Sequence, residues 1–113
     1  TRSYCYINDA VEMIFKILFS DADGESFNIG NPNEEISVLE LAKLVASLMP
    51  YKVEITKTIP PYAVYAKSDP KRRCPDISKL QSEVDFKPKY DLKTGLLRTI
   101  EWYKENYIPA PKK

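Results

Sequence analysis

Nine prolines, at positions 32, 50, 60, 61, 70, 75, 88, 109 and 111, constrain this chain more than any other feature. Proline fixes φ and removes a backbone donor, so no helix or inner strand can run through those positions. Each falls between segments with clean periodicity, which makes the segmentation credible. Ser3 to Ile7 alternates as a strand, and NDAVEMIFKILFS reads as a helix with Asp9 at its N-cap and Glu12 three residues on. ESFNIG reads as a short strand that stops in the turn sequence GNPNE. The best-signalled helix follows. Ser37 and Glu40 form a capping box, Ile36 and Leu41 occupy the staple positions, and Leu41, Leu44, Val45 and Leu48 make one apolar stripe before Pro50. KVEITKTI alternates with period two as a further strand. The residues from Pro60 to Pro75 form a loop, and ISKLQSEV is a short helix. Asp91 then caps a long helix marked by Leu92, Leu96, Ile100, Tyr103 and Tyr107, in which Gly95 signals close packing.

The expected fold is therefore a small mixed α/β lobe with few short strands and about four helices. Residues 1–108 make up that unit, and 109–113 are a frayed tail. The length of 113 residues suits one domain, and 43% hydrophobic with 29% charged residues is a globular balance. Seventeen Lys and Arg against sixteen Asp and Glu leave a net charge of +1, which argues against a partner recognised by bulk charge, such as nucleic acid or an anionic membrane. Any anion site has to be local. The longest greasy run, AVEMIFKILF, is interrupted by Glu12 and Lys16 and is far short of a membrane span. Cys5 and Cys74 read as two reduced thiols, with a single bridge between them as the alternative, and together with the lack of a signal peptide they point to the cytoplasm. The chain opens with TRSYCYI and no initiator methionine, and reads as a piece of a longer polypeptide.

Much chemistry is missing. There is no histidine, which removes the commonest general base and metal ligand. The glycines at 24, 30 and 95 cannot form a dinucleotide or Walker loop in any register. None of the eight tyrosines is followed four residues later by lysine. No catalytic residue, bound cofactor or metal is expected in this chain.

One stretch stands apart. In DPKRRCPD, Asp69 to Asp76, three cations (Lys71, Arg72, Arg73) sit between Pro70 and Pro75. Adjacent guanidinium groups on a braced loop suit phosphate oxygens, which they bind in bidentate fashion. Asp76 suits a pair of sugar hydroxyls. The alternative is a solvated basic turn in which Asp76 only caps the following helix. Arg2 and Tyr4, two apart, share one face of the first strand, either as a further anion contact or as an ordinary edge. Asn28 and Gly30 read as turn residues.

Four segments in order, TRSYCYINDAVE, FNIGNPNEEISVLELA, DPKRRCPDISKL and FKPKYDLKTGLLRTIEWY, resemble the C-terminal portion of the NAD-dependent sugar-nucleotide epimerases and dehydratases. These are the extended short-chain dehydrogenases, and UDP-glucuronate decarboxylases and dTDP-glucose 4,6-dehydratases are near members. The resemblance implies that Arg2 reaches a substrate diphosphate, with Tyr4 lining the same cleft. It implies that Arg73 contacts the diphosphate, that Asp76 contacts the ribose, and that Arg72 is a neighbouring cation. It also implies that an intact parent uses NAD to oxidise and re-reduce a UDP- or dTDP-sugar. The glycine-rich loop and the Tyr-x-x-x-Lys pair belong to an N-terminal Rossmann domain that this chain lacks. The reading is a nucleotide-sugar-binding lobe that is inactive alone, and the alternative is a standalone nucleotide- or phosphate-binding module.

Overall fold

Two of the helices begin at the caps that the sequence marks, Ser37 and Asp91. A computed structural model describes residues 1–58 and 70–107. Among these residues the order is β1 (Arg2–Ser3), α1 (Ile7–Leu18), β2 (Glu35–Ile36), α2 (Val38–Leu48), α3 (Ser78–Glu83) and α4 (Leu92–Asn106). Four helices and a two-stranded sheet make a small mixed α/β unit, as the proline punctuation implied. β1 and β2 pair antiparallel, with Arg2 opposite Ile36 and Ser3 opposite Glu35.

The capping box of α2 forms as read. Ser37 Oγ accepts from the Glu40 N–H at 3.2 Å, and the Ser37 N–H donates to Glu40 Oε2 at 3.0 Å. Asp91 caps α4 by accepting from the Thr94 N–H at 2.6 Å. Gly95 on that helix is buried against Tyr6, where an added Cβ would stand 3.2 Å from Tyr6 Cβ. α2 packs against α4, which half-buries the stripe Leu41, Leu44, Val45 and Leu48.

Three readings need correction. The first strand is confined to residues 2–3, and α1 starts at Ile7 with Tyr6, not Asp9, at its N-cap. The reason is that Asp9 is engaged elsewhere. Its buried Oδ2 accepts the backbone N–H groups of Lys89 and Tyr90, each at 3.1 Å, and so ties α1 to the approach to α4. Glu12, the supposed capping-box partner, pairs instead with Lys89 Nζ at 2.6 Å. Second, ESFNIG forms no strand: its neighbour is the Pro75–Asp76 step, where Pro75 has no N–H to give a ladder and the contact runs through the Asn28 side chain. Third, the described part of KVEITKTI, residues 52–58, is exposed and irregular, with no neighbouring strand among the described residues. Most of the Pro60–Pro75 loop and the tail 109–113 lie outside the described residues.

The core is small. Met13, Ile77, Leu80 and Phe86 are buried, with Cys5, Ile17, Phe27 and Val84 packed around them. Its effect is to join α1 to α3, and α3 follows directly on the arginine-bearing segment.

Candidate functional site

Backbone hydrogen bonds place the arginine segment on the sheet. The Arg73 N–H donates to the Thr1 carbonyl and the Ser3 N–H donates to the Arg73 carbonyl, both at 3.0 Å, so that Arg2 and Arg73 form a parallel bridge. β1 therefore runs between β2 on one side and residue 73 on the other. Two sequence-distant segments, 1–3 and 71–73, are thus held as one surface.

The three cations of this segment divide. Arg72 binds Glu35 of β2, with its Nε at 3.0 and 2.9 Å from the two carboxylate oxygens and its Nη2 at 2.7 Å from Oε2. Thr1 Oγ1 donates to the same carboxylate. These contacts, the Thr1 hydroxyl first and then Arg72, hold the Glu35 carboxyl below the usual range for glutamate, and Glu35 in turn pushes Arg72 up. Arg72 is thus a clamp between the loop and β2. Arg73 lines a cavity of about 480 Å³ together with Ser3, Cys5, Asn28, Cys74 and Asp76.

Asp76 is engaged at the start of α3 and also borders the cavity. Its Oδ1 accepts from the Ser78 N–H at 2.9 Å and from the Ser78 hydroxyl at 2.6 Å, which is the helix-start role read for it. Those bonds, the hydroxyl first, hold its carboxyl below the ordinary aspartate range, so it is an anion at neutral pH. The side chain nevertheless lines the cavity beside Arg73. Asn28 and Gly30, read as turn residues, build this wall. Asn28 Nδ2 donates to the Asp76 carbonyl at 3.1 Å. A Cβ on Gly30 would lie 2.6 Å from Pro75 Cγ, so only glycine allows residues 28–31 to press against the Pro75–Asp76 step. The sequence signal for this contact was a glycine just before a proline turn, and it did not reveal its partner.

Strand alternation splits the remaining candidates. Ser3 lines the cavity with Arg73 and Asp76, Tyr4 lines a second, mainly apolar cavity of about 410 Å³, and Cys5 stands between the two and lines both. That cavity lies between α2 and α4, with Leu41, Val45, Tyr90 and Leu96 in its walls. Arg2 is joined to Arg73 through backbone, and its Nη1 donates to the Thr1 carbonyl at 2.7 Å. The structure therefore brings Arg73 and Asp76 together, sets Arg2 next to them, engages Arg72 with Glu35, and places Tyr4 on another wall.

No group of three or more metal-ligating side chains occurs among the described residues. No helix of the described residues is long and apolar enough to cross a membrane. A cation, a carboxylate and an amide-held backbone around one open cavity can grip an anion that also carries hydroxyls.

Three relatives illustrate what the chain is similar to. It is 38% identical over 96 residues to UDP-glucuronic acid decarboxylase 6 of Arabidopsis thaliana, a match covering 85% of this chain and 26% of that protein. It is 32% identical over 120 residues to UDP-glucuronic acid decarboxylase 1 of Danio rerio, with 99% of this chain and 27% of the relative covered. It is 34% identical over 109 residues to dTDP-D-glucose 4,6-dehydratase of Bos taurus, with 95% and 30% covered. The chain thus spans less than a third of the length of the curated relatives it matches. No family model and no solved structure matches it.

Proposed function

From the premise that most of this chain is homologous to enzymes of the sugar-nucleotide epimerase/dehydratase family, we propose that it binds the nucleoside-diphosphate part of a UDP- or dTDP-sugar. It does so as the C-terminal, substrate-binding lobe of a cytoplasmic enzyme whose N-terminal Rossmann domain supplies the chemistry. The observation that carries this reading is the placement of Arg73 and Asp76 on one cavity wall. A guanidinium fork suits the diphosphate, and an ionised carboxylate suits the ribose hydroxyls. Arg2, bridged to Arg73, is the adjacent candidate for the same diphosphate. Arg72 reaches it only by leaving Glu35. Tyr4 contributes to a cleft shared with the rest of the parent protein.

The parent's NAD does not fit on this chain. Its three glycines stand apart in sequence, and two of them are closed off by packing, Gly30 against Pro75 and Gly95 against Tyr6. Among the described residues no glycine loop forms a dinucleotide cradle. The chain alone accordingly binds substrate without turning it over.

The test is titration of UDP into the parent enzyme carrying Arg73→Lys or Asp76→Asn. Arg73→Lys keeps the charge and loses the fork, and should weaken binding by roughly one to two decades, the equivalent of one charge-assisted hydrogen bond. Asp76→Asn should weaken UDP more than inorganic pyrophosphate. If both variants bind UDP like wild type, the segment is a solvated basic turn and the assignment fails.

A further inference from the structure

The cavity that holds Arg73 and Asp76 also holds both cysteines of the chain, and nucleotide recognition gives neither of them a task. We propose that Cys5 and Cys74 are a thiol pair open to oxidative modification, and that a hydroperoxide closes them into a disulfide across this cavity.

The parallel bridge sets the geometry. With Arg2 opposite Arg73, Ser3 lies opposite Cys74, and Cys5 is two residues further along on the same face as Ser3. Strand spacing puts the Cys5 and Cys74 Cα atoms roughly 8 Å apart if both segments stay extended. A disulfide needs no more than about 6.8 Å. Closure therefore asks for a shift of about 1–2 Å by residues 4 and 5, which lie between the ladder and Tyr6, the N-cap of α1. Both thiols are free and half-buried. Each thiol makes a weak S–H donation, from Cys5 to the Tyr6 carbonyl at 3.5 Å and from Cys74 to the Pro32 carbonyl at 3.7 Å, and Cys5 also packs against the core.

Their surroundings assign different roles. Burial first, then the nearby Asp9 carboxylate, pushes the Cys5 thiol up, so Cys5 keeps its proton. The thiolate is the attacking species, so Cys5 is the resolving thiol and Cys74, next to Arg73 in sequence, is the one that meets the peroxide first. Cys74 attacks the peroxide: an S–O bond forms, the O–O bond breaks, and the departing alkoxide takes up a proton as an alcohol or water. Cys5 sulfur then attacks the sulfenic sulfur. The S–S bond forms, the S–O bond breaks, and hydroxide leaves as water with the Cys5 proton. Two thiols lose two electrons and the peroxide gains them.

The consequence is local and reversible. The new bond spans the cavity next to Arg73 and two residues before Asp76, so it narrows the space in which an anion would sit. It also ties the two ends of a segment of about 70 residues, which should raise the thermal midpoint by roughly 10 °C or more.

The experiment treats the reduced 113-residue chain with hydrogen peroxide, blocks remaining thiols and maps the peptides by mass. The expected product is a monomer lighter by two hydrogens with the Cys5 and Cys74 peptides joined, restored by dithiothreitol. Cys5→Ser should stop at a Cys74 sulfenic acid that dimedone traps. Only intermolecular dimers, or two cysteines that still alkylate fully after peroxide, would overturn the proposal. So would oxidation of Cys5 in Cys74→Ser at the wild-type rate. The readout is mass alone, so it succeeds or fails independently of whether UDP binds.

Discussion

Replacing Gly30 by alanine tests how the cavity wall is built. The added Cβ would stand 2.6 Å from Pro75 Cγ, 3.6 Å from its Cβ and 3.7 Å from its Cδ. Carbon atoms rest about 3.5–4.0 Å apart, so roughly 1 Å of separation has to be found. A lysine tip could swing away. The pyrrolidine ring cannot, because it is closed onto its own backbone. Residues 28–31 must therefore move off the Pro75–Asp76 step, against the Asn28–Asp76 hydrogen bond of 3.1 Å. Overpacking of this kind costs about 1–3 kcal/mol, against which the stiffer unfolded chain returns about 0.4–1 kcal/mol. The net expectation is a loss of about 1–2 kcal/mol, seen as a fall of roughly 5–15 °C in thermal midpoint and a matching drop in urea midpoint at unchanged slope. Pro75→Ala in the same chain removes the ring atoms that clash. It should recover part of the loss, so the double mutant is less damaged than the sum of the singles by about 1 kcal/mol. Additive losses, or a Gly30→Ala midpoint at or above wild type, would show that the two segments do not touch as described.

Two further outcomes follow from local contacts. Ser37→Ala removes the acceptor for the Glu40 N–H and should lower stability by about 1 kcal/mol in urea denaturation, whereas an unchanged midpoint would mean that α2 starts elsewhere. Glu35→Gln should destabilise the chain at neutral pH and lose its effect in acid. The folded carboxyl sits below its ordinary value, so its stabilising contribution is present above the usual glutamate range and disappears as pH falls through the lowered one. A wild-type-to-variant difference that grows on acidification would reverse that sign.

The helices were legible in the sequence because their signals are local. Ser37 with Glu40, and Asp91 with Thr94, lie within one turn of each other, and the side chain that stops the competing structure is in the same window as the helix it starts. Asp9 carried the same signature and deceived. A carboxylate three residues before a glutamate looks identical whether it caps its own helix or receives the N–H groups of residues 89 and 90, and only the fold distinguishes the two. Strands are worse served. ESFNIG and KVEITKTI have the right alternation, but a strand exists only where a second one lies alongside, and period two says nothing about the neighbour.

The same division between local and distant information runs through the candidate site. Arg73 and Asp76 are three residues apart, and their shared wall could be anticipated from the loop alone. Arg72 could not be separated from Arg73 by composition, since both are guanidinium groups flanked by the same prolines. What separates them is β1. Its bridge to Arg73 fixes that residue beside the cavity, while its ladder to β2 brings Glu35 within 2.7 Å of Arg72. One short strand of two residues thus sorts two adjacent cations, Arg72 into an anchor on Glu35 and Arg73 into a cavity wall. Alternation grouped Tyr4 with Arg2 and set it apart from Ser3; Tyr4 lines the second cavity and Ser3 the one bordered by Arg73, which reaches β1 along its backbone edge. Which face of a strand becomes a site is decided by what packs on it, and here that partner comes from seventy residues further along the chain.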